Sequence, residues 1–228
     1  MASSYTRTAL LQKIDEAAKN MPTFYQQGFV NYRGKTSDTD EYYTEIVAEW
    51  CCNHLQLFDR IPVITREQSY RVAGRDGVPE QEGSNRVEER IAMAMFRQGR
   101  LPLVGEIKDY QTPLKNKRND RVGKIDLLAY DGSILRILEL KEPESDETML
   151  RCVLEGYTYL RTVNTKKLVL DFALPEDTPV EASPFVFKGK RQYSEAKEHR
   201  PQLDRLMQLM NSKAYYISGE MGNYFVEV

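Results

Sequence analysis

The stretch KIDLLAYDGSILRILELK, residues 124–141, decides how the rest of the chain is read. Two runs of β-type residues, 124–130 and 133–141, flank Asp131-Gly132, a dipeptide that favours the tight turn of a β-hairpin. With a two-residue loop, Asp126 stands opposite Ile137. Side chains alternate across a strand, so Asp126, Ile137, Glu139 and Lys141 point to one side. Asp126 and Glu139 become diagonal neighbours with backbones roughly 7–8 Å apart. Two carboxylates leaning toward a common point at that separation can hold a hard divalent cation, with Lys141 one step further along the same face. The plain alternative is a surface strand whose polar face carries Glu and Lys. Against it stand Leu127, Leu128, Leu135, Ile137, Leu138 and Leu140, with Ile134 in the same run, which predict burial on both faces. Buried charges are costly unless paired or bound to a metal, and three of them gather at one end of this hairpin.

Outward from the hairpin, the periodicity predicts helices and strands in a definite order. Upstream, helical spacing over 5–20 and 40–57 predicts two helices, the second capped near the end of GKTSDTD (34–40). The Gly-rich and polar residues 72–86 predict a loop, and a third helix spans about 84–98, capped by Ser84 or Asn85 and stopped by Gly99. LVGEIKDYQ (103–111) reads as a strand. Downstream, a helix of about 145–163 precedes KKLVLDFAL (166–174), whose apolar run predicts a central strand. A short strand at 184–188, a helix near 194–211 and strands at Ala214–Ile217 and Tyr224–Val228 complete the chain. Helices before and after a mixed β-sheet predict an α/β (α+β) fold. An N-terminal helical extension, 1–80, is expected to pack on a core of residues 81–228 as one compact domain overall.

Ile125-Asp126, twelve intervening residues and then Glu139-Leu140-Lys141 resemble the signature of the PD-(D/E)xK nuclease superfamily, with the restriction-endonuclease-like fold. The order helix–strand–strand–strand–helix–strand over about residues 84–174 is similar to the core of that family. Ile125 stands where the family usually has proline, which leaves the carboxylate untouched. The resemblance implies a Mg2+-dependent (or Mn2+-dependent) nuclease, a hydrolase of phosphodiester bonds in DNA or, second, RNA. It implies that Asp126 and Glu139 hold the metal, that the carbonyl of Leu140 is a further ligand, and that Lys141 assists the attacking water or the developing oxyanion. Many members carry a supporting glutamate on the preceding helix, and the spacing to Ile91 selects Glu88 over Glu89 for that part. On a helical wheel Glu88 borders the inner face of Val87, Ile91, Ala94 and Met95. An acidic first turn favoured by the helix dipole accounts for the same residues without a site. Glu155 and Tyr159 are spaced like the Gln-x-x-x-Tyr motif of RecB-type nucleases, with Glu in place of Gln.

Charge and composition bound the function further. The chain has 228 residues, 32 Lys and Arg against 34 Asp and Glu, and a net charge of −2, which excludes a polyanion-binding coat over the whole surface. Local basic patches remain. Lys115, Lys117, Arg118, Arg121 and Lys124 crowd the loop before the hairpin, and a second group spans 186–200. Such residues contact phosphates without reading sequence, or else form a solvated surface. Three cysteines and two histidines offer no zinc spacing, and neither a phosphate-binding loop nor a nucleophile elbow occurs. No leader-like or membrane-spanning run is present, so a cytoplasmic address is expected, with DNA as partner and homodimerisation left open. The competing reading is a nuclease-fold module that binds nucleic acid or assembles with protein without turnover, the 1–80 segment docking a partner.

Overall fold

In the computed structural model, which describes residues 5–72, 74, 86–116 and 123–228, a single seven-stranded sheet carries the fold. The chain enters through helix α1 (Arg7–Ala17), 3-10 turns at Ala18–Gln26 and Gly28–Asn31, helix α2 (Tyr43–Asn53) and a 3-10 turn at Leu55–Arg60. Helix α3 (Val87–Gln98) leads into strands β1 (Arg100–Leu101), β2 (Gly105–Pro113), β3 (Lys124–Tyr130) and β4 (Leu135–Lys141). Helices α4 (Met149–Thr162) and α5 (Thr165–Asp171) cross over to β5 (Val180–Phe187). Helices α6 (Arg191–Lys197) and α7 (Pro201–Leu209) then cross over to β6 (Tyr215–Glu220) and β7 (Asn223–Glu227).

The strands lie side by side in chain order, antiparallel from β1 to β4, parallel from β4 through β6, and antiparallel again at β7. Short turns suffice for the antiparallel pairs, whereas each parallel step needs its helical crossover. Two apolar layers cover the sheet. One joins Leu128, Leu135 and Ile137 to α4, α7 and the N-terminal helices, with Leu10, Phe24 and Ile46 in the same cluster. The other packs Leu127, Leu138 and Leu140 under Ile91 and Met95 of α3. Strand β4 is thus buried on both faces along its whole length, as its apolar residues at both parities, Leu135 and Ile137 on one face and Leu138 and Leu140 on the other, predict.

Sequence and structure differ at several elements. The hairpin loop has four residues, Asp131–Ile134, not two, because Leu127 pairs with Leu138 and Tyr130 with Leu135. Asp131 explains the longer loop: its Oδ1 accepts the N–H groups of Ser133 (2.8 Å) and Ile134 (2.9 Å), and Gly132 adopts φ +107°. A shift of two leaves side-chain parity unchanged and places Glu139, instead of Ile137, in line with Asp126. KKLVLDFAL does not form a strand. It forms α5, whose first turn is capped by Asn164 Oδ1 accepting from Lys167 N (3.1 Å) and whose Lys167 pairs with Asp171 one turn on. The central parallel strand is β5 instead, which extends the expected 184–188 run back to Val180.

The helix expected at 194–211 is two helices, broken before Pro201, and the helix expected from 145 begins at Met149. Asp40, expected near the α2 cap, has φ +55° and pairs with Lys35, and the helix starts after Tyr42 with no side-chain cap. Val87, expected on the inner face of α3, is exposed, since it lies in the first turn ahead of the sheet contact. Gly99 ends α3 as expected, with φ +81° and its N–H on Met95 O. Ser84 and Asn85 lie outside the described residues. No helix among the described residues is long and apolar enough to cross a membrane.

Candidate functional site

The site forms where the hairpin forks. The β3–β4 ladder runs from Tyr130–Leu135 to Leu127–Leu138. At the next step the N–H of Leu140 is taken by the Asp126 carboxylate, Oδ2 at 3.1 Å. Beyond this fork lies a cavity of ≈ 760 Å³ whose lining includes Glu88, Asp126, Glu139, Lys141, Glu155 and Tyr159. Strand β3 supplies Asp126, β4 supplies Glu139 and Lys141, α3 supplies Glu88, and α4 supplies Glu155 and Tyr159.

Lys141 is the hub of the charges. Its Nζ lies 2.8 Å from Glu139 Oε1, 2.8 Å from Glu147 Oε2 and 3.2 Å from Glu155 Oε2. Burial pushes the ammonium down, but Glu139, Glu155 and Glu147 outweigh it and raise its pKa well above the ordinary lysine value. Glu155 is held by Tyr159, whose hydroxyl donates to Oε1 at 2.9 Å, and by Arg151 at 3.4 Å. Burial pushes Glu155 up, yet Lys141 and Arg151 hold it below the usual carboxylate value. Helix α4 is fixed at its start by Thr148, which caps Arg151 N at 3.2 Å, and by Glu195 of α6, which accepts from Met149 N at 2.7 Å.

The other carboxylates are less well served. Glu139 is 3 % exposed, and among the described residues no N–H or O–H donor reaches its Oε2. Burial, then Glu155, drives Glu139 well above the ordinary range. Asp126, half-buried, accepts from Gln111 Nε2 on Oδ1 at 2.9 Å as well as from Leu140 N. Its pKa is pushed up to about 7, first by burial and then by Glu88 and Glu155, with Lys141 pulling the other way. Glu88 accepts from Glu142 N at 3.4 Å and is raised by burial. Among the described residues that line the cavity, nine are carboxylates and five are cations, an excess of acidic groups.

Of the expected hairpin residues, Asp126, Glu139 and Lys141 line this cavity. Leu140 donates its backbone N–H to Asp126, and its side chain lies in the second apolar layer. Lys115 and Lys124 also line the cavity, while Lys117, Arg118 and Arg121 lie outside the described residues. The basic group at 186–200 is largely neutralised: Lys188 pairs with Glu227, Lys190 with Glu144, Arg191 with Glu195 and Arg200 with Glu198. Glu147 and Gln111 were not legible as site residues. Glu147 sits in the acidic run EPESDETM, where nothing distinguishes it from its neighbours, and Gln111 carries no motif.

Among the described residues, no group of three or more His, Cys, Asp or Glu side chains has the geometry to hold a metal ion. No family model matches the chain, and no curated protein or solved structure matches it significantly.

Proposed function

We propose that the chain is a metal-dependent nuclease of the PD-(D/E)xK type, with a restriction-endonuclease-like core, acting on DNA and, second, on RNA. The observation that carries the reading is the pair of crowded carboxylates at the fork of a buried hairpin, Asp126 and Glu139, beside a lysine and an open cavity. The residues fit a hard divalent cation. Glu139 Oε2 lacks a donor, and Asp126 and Glu139 are both raised by burial, a condition that either a proton or a cation relieves. Asp126 and Glu139 would hold Mg2+ or Mn2+, with the Leu140 carbonyl as a further ligand. Two carboxylates are enough for Mg2+, which commonly completes its shell with water and substrate phosphate.

The bound ion would supply Lewis-acid stabilisation of the phosphate and a water of lowered pKa. The protein's own groups do the rest. Lys141, kept protonated by its three carboxylates, serves as a fixed positive charge for the developing oxyanion and not as a base. Glu88 assists from the rim, and Lys115 and Lys124 hold flanking phosphates. Nuclease assays with Mg2+ and Mn2+ on linear, circular and branched DNA, beside Glu139→Ala, test the proposal. Metal-dependent cleavage lost in the variant is expected, and no cleavage of any substrate by the wild type counts against it.

A catalytically silent scaffold is the second reading. It is favoured by the three carboxylates within ion-pair reach of Lys141, since such a network can satisfy buried charges without a metal. A silent scaffold has no need to take up Mn2+, so metal binding separates the two.

A further inference from the structure

Gln111 has a left-handed backbone in the interior of strand β2. Its φ is +48°, in the left-handed region that costs any residue with a Cβ. Among the described residues five other non-glycine residues share a positive φ, but Asp40, Leu103, Ala173, His199 and Asn211 lie in turns or loops. Among them Gln111 is the one inside a strand. Tyr110 pairs with Leu127 and Thr112 with Ile125, so Gln111 stands directly across β2–β3 from Asp126. There its Nε2 donates to Asp126 Oδ1 at 2.9 Å.

The two oxygens of Asp126 are thereby gripped from opposite sides, Oδ2 by Leu140 N–H of β4 and Oδ1 by Gln111 of β2. A carboxylate held at both oxygens cannot rotate, and one lone pair on each oxygen is left for the cavity. Strain retained in a strand beside a candidate site is the pattern expected when conformation serves function at a cost to stability. Building on the nuclease reading above, we infer that Gln111 is a positioning residue: its left-handed backbone aims the carboxamide that orients Asp126 toward a divalent cation. Partners behind a metal ligand are generally worth roughly 10–100-fold in metal affinity or activity.

Gln111→Gly removes the carboxamide and relieves the φ strain together, so the two consequences have opposite signs. Calorimetric Mn2+ titration and thermal melts without metal are run on the full-length wild type, Gln111→Gly and Gln111→Asn. Gln111→Gly is expected to melt close to the wild-type temperature, the relieved strain offsetting the lost hydrogen bond, while its Mn2+ affinity falls at least about tenfold. Gln111→Asn, which tolerates the left-handed backbone but is one methylene short, should lose affinity in the same way without gaining stability. Equal Mn2+ affinity in Gln111→Gly and wild type overturns this inference and leaves the nuclease reading standing. A Gln111→Gly protein that melts clearly below wild type without metal also overturns it, because the side chain would then serve the fold. A wild type that takes up no Mn2+ overturns the metal reading, and the inference with it.

Discussion

Replacing Asp126 with Asn keeps the side chain's shape and removes its charge, and the structure gives the expected effect a sign and a size. In the metal-free protein the folded state holds Asp126 near a pKa of about 7, against an ordinary value of 3.8. Between those values the folded chain keeps a proton that the unfolded chain has released, so stability falls as pH rises through that window and stays low above it. At about 1.4 kcal/mol per pH unit, the window amounts to ~4 kcal/mol of cost by pH 8. Asn avoids that cost but can accept only one of the two hydrogen bonds now made by Gln111 and Leu140, a loss of about 1–2 kcal/mol. The net expectation is a metal-free Asp126→Asn protein more stable than wild type by about 2–3 kcal/mol at pH 8, with the order reversed at about pH 4. Millimolar Mn2+ should close the gap, since a cation that binds only the folded wild type stabilises it by mass action. Chemical denaturation at pH 4 and pH 8, with and without Mn2+, measures each term. A variant clearly less stable than wild type at pH 8 without metal, beside a wild type indifferent to Mn2+, would refute the reasoning.

Three further outcomes follow from particular contacts. Asp131 is held below the usual carboxylate range: burial raises it, but the N–H of Ile134, the guanidinium of Arg136 and Ser133 outweigh that effect. Its stabilisation is therefore present above the ordinary carboxyl pKa and lost as pH falls below it, and Asp131→Ala, which leaves buried Arg136 unpaired, should cost about 2–3 kcal/mol in urea melts at pH 7. Gly123→Ala puts a Cβ 2.1 Å from the Tyr159 hydroxyl, which should displace that hydroxyl from Glu155 and remove about 1–2 kcal/mol of stability, read by thermal melting with the shift in tyrosine absorbance. Because carboxylates outnumber cations in the cavity, DNA binding should strengthen markedly when Ca2+ is present, and Lys115→Ala with Lys124→Ala should weaken it about equally for all sequences in a filter-binding assay.

The central hairpin was legible because two independent signals agree there. Apolar residues at both parities of β4 report burial on both faces, and Asp131-Gly132 reports the turn. The loop length was not legible, since Asp131 can close a turn through its side chain as readily as through its backbone. Parity survived because the loop grew by two residues, and with it the pairing of Asp126 and Glu139 on one cavity. KKLVLDFAL illustrates the ambiguity of a short apolar run. Leu168 and Val169 are buried and Leu170 is exposed, a pattern either period allows, and the Asn164 cap and the Lys167–Asp171 pair are the helical signals that decide it. Strand β5 contains Pro184, a residue type that argues against a central strand. The structure accommodates it because β6 pairs with β5 only from Phe185 onward, so on that side no hydrogen-bond partner is lost at Pro184. Gln111 was invisible because φ is a property of the folded backbone and no residue type announces it. Glu195, which caps α4 from a distant helix, was hidden for the related reason that a tertiary cap has no sequence spacing.

The central claim is that Asp126 and Glu139 together hold a divalent cation. Calorimetric titration of Mn2+ into wild type, Asp126→Asn and Glu139→Gln tests it most directly, because each substitution keeps the side-chain volume and removes one charge. Saturable binding by the wild type at the hairpin fork, lost in both variants while their metal-free folds persist, is the result expected. A wild type that takes up no Mn2+, or variants that bind it as the wild type does, would contradict the claim.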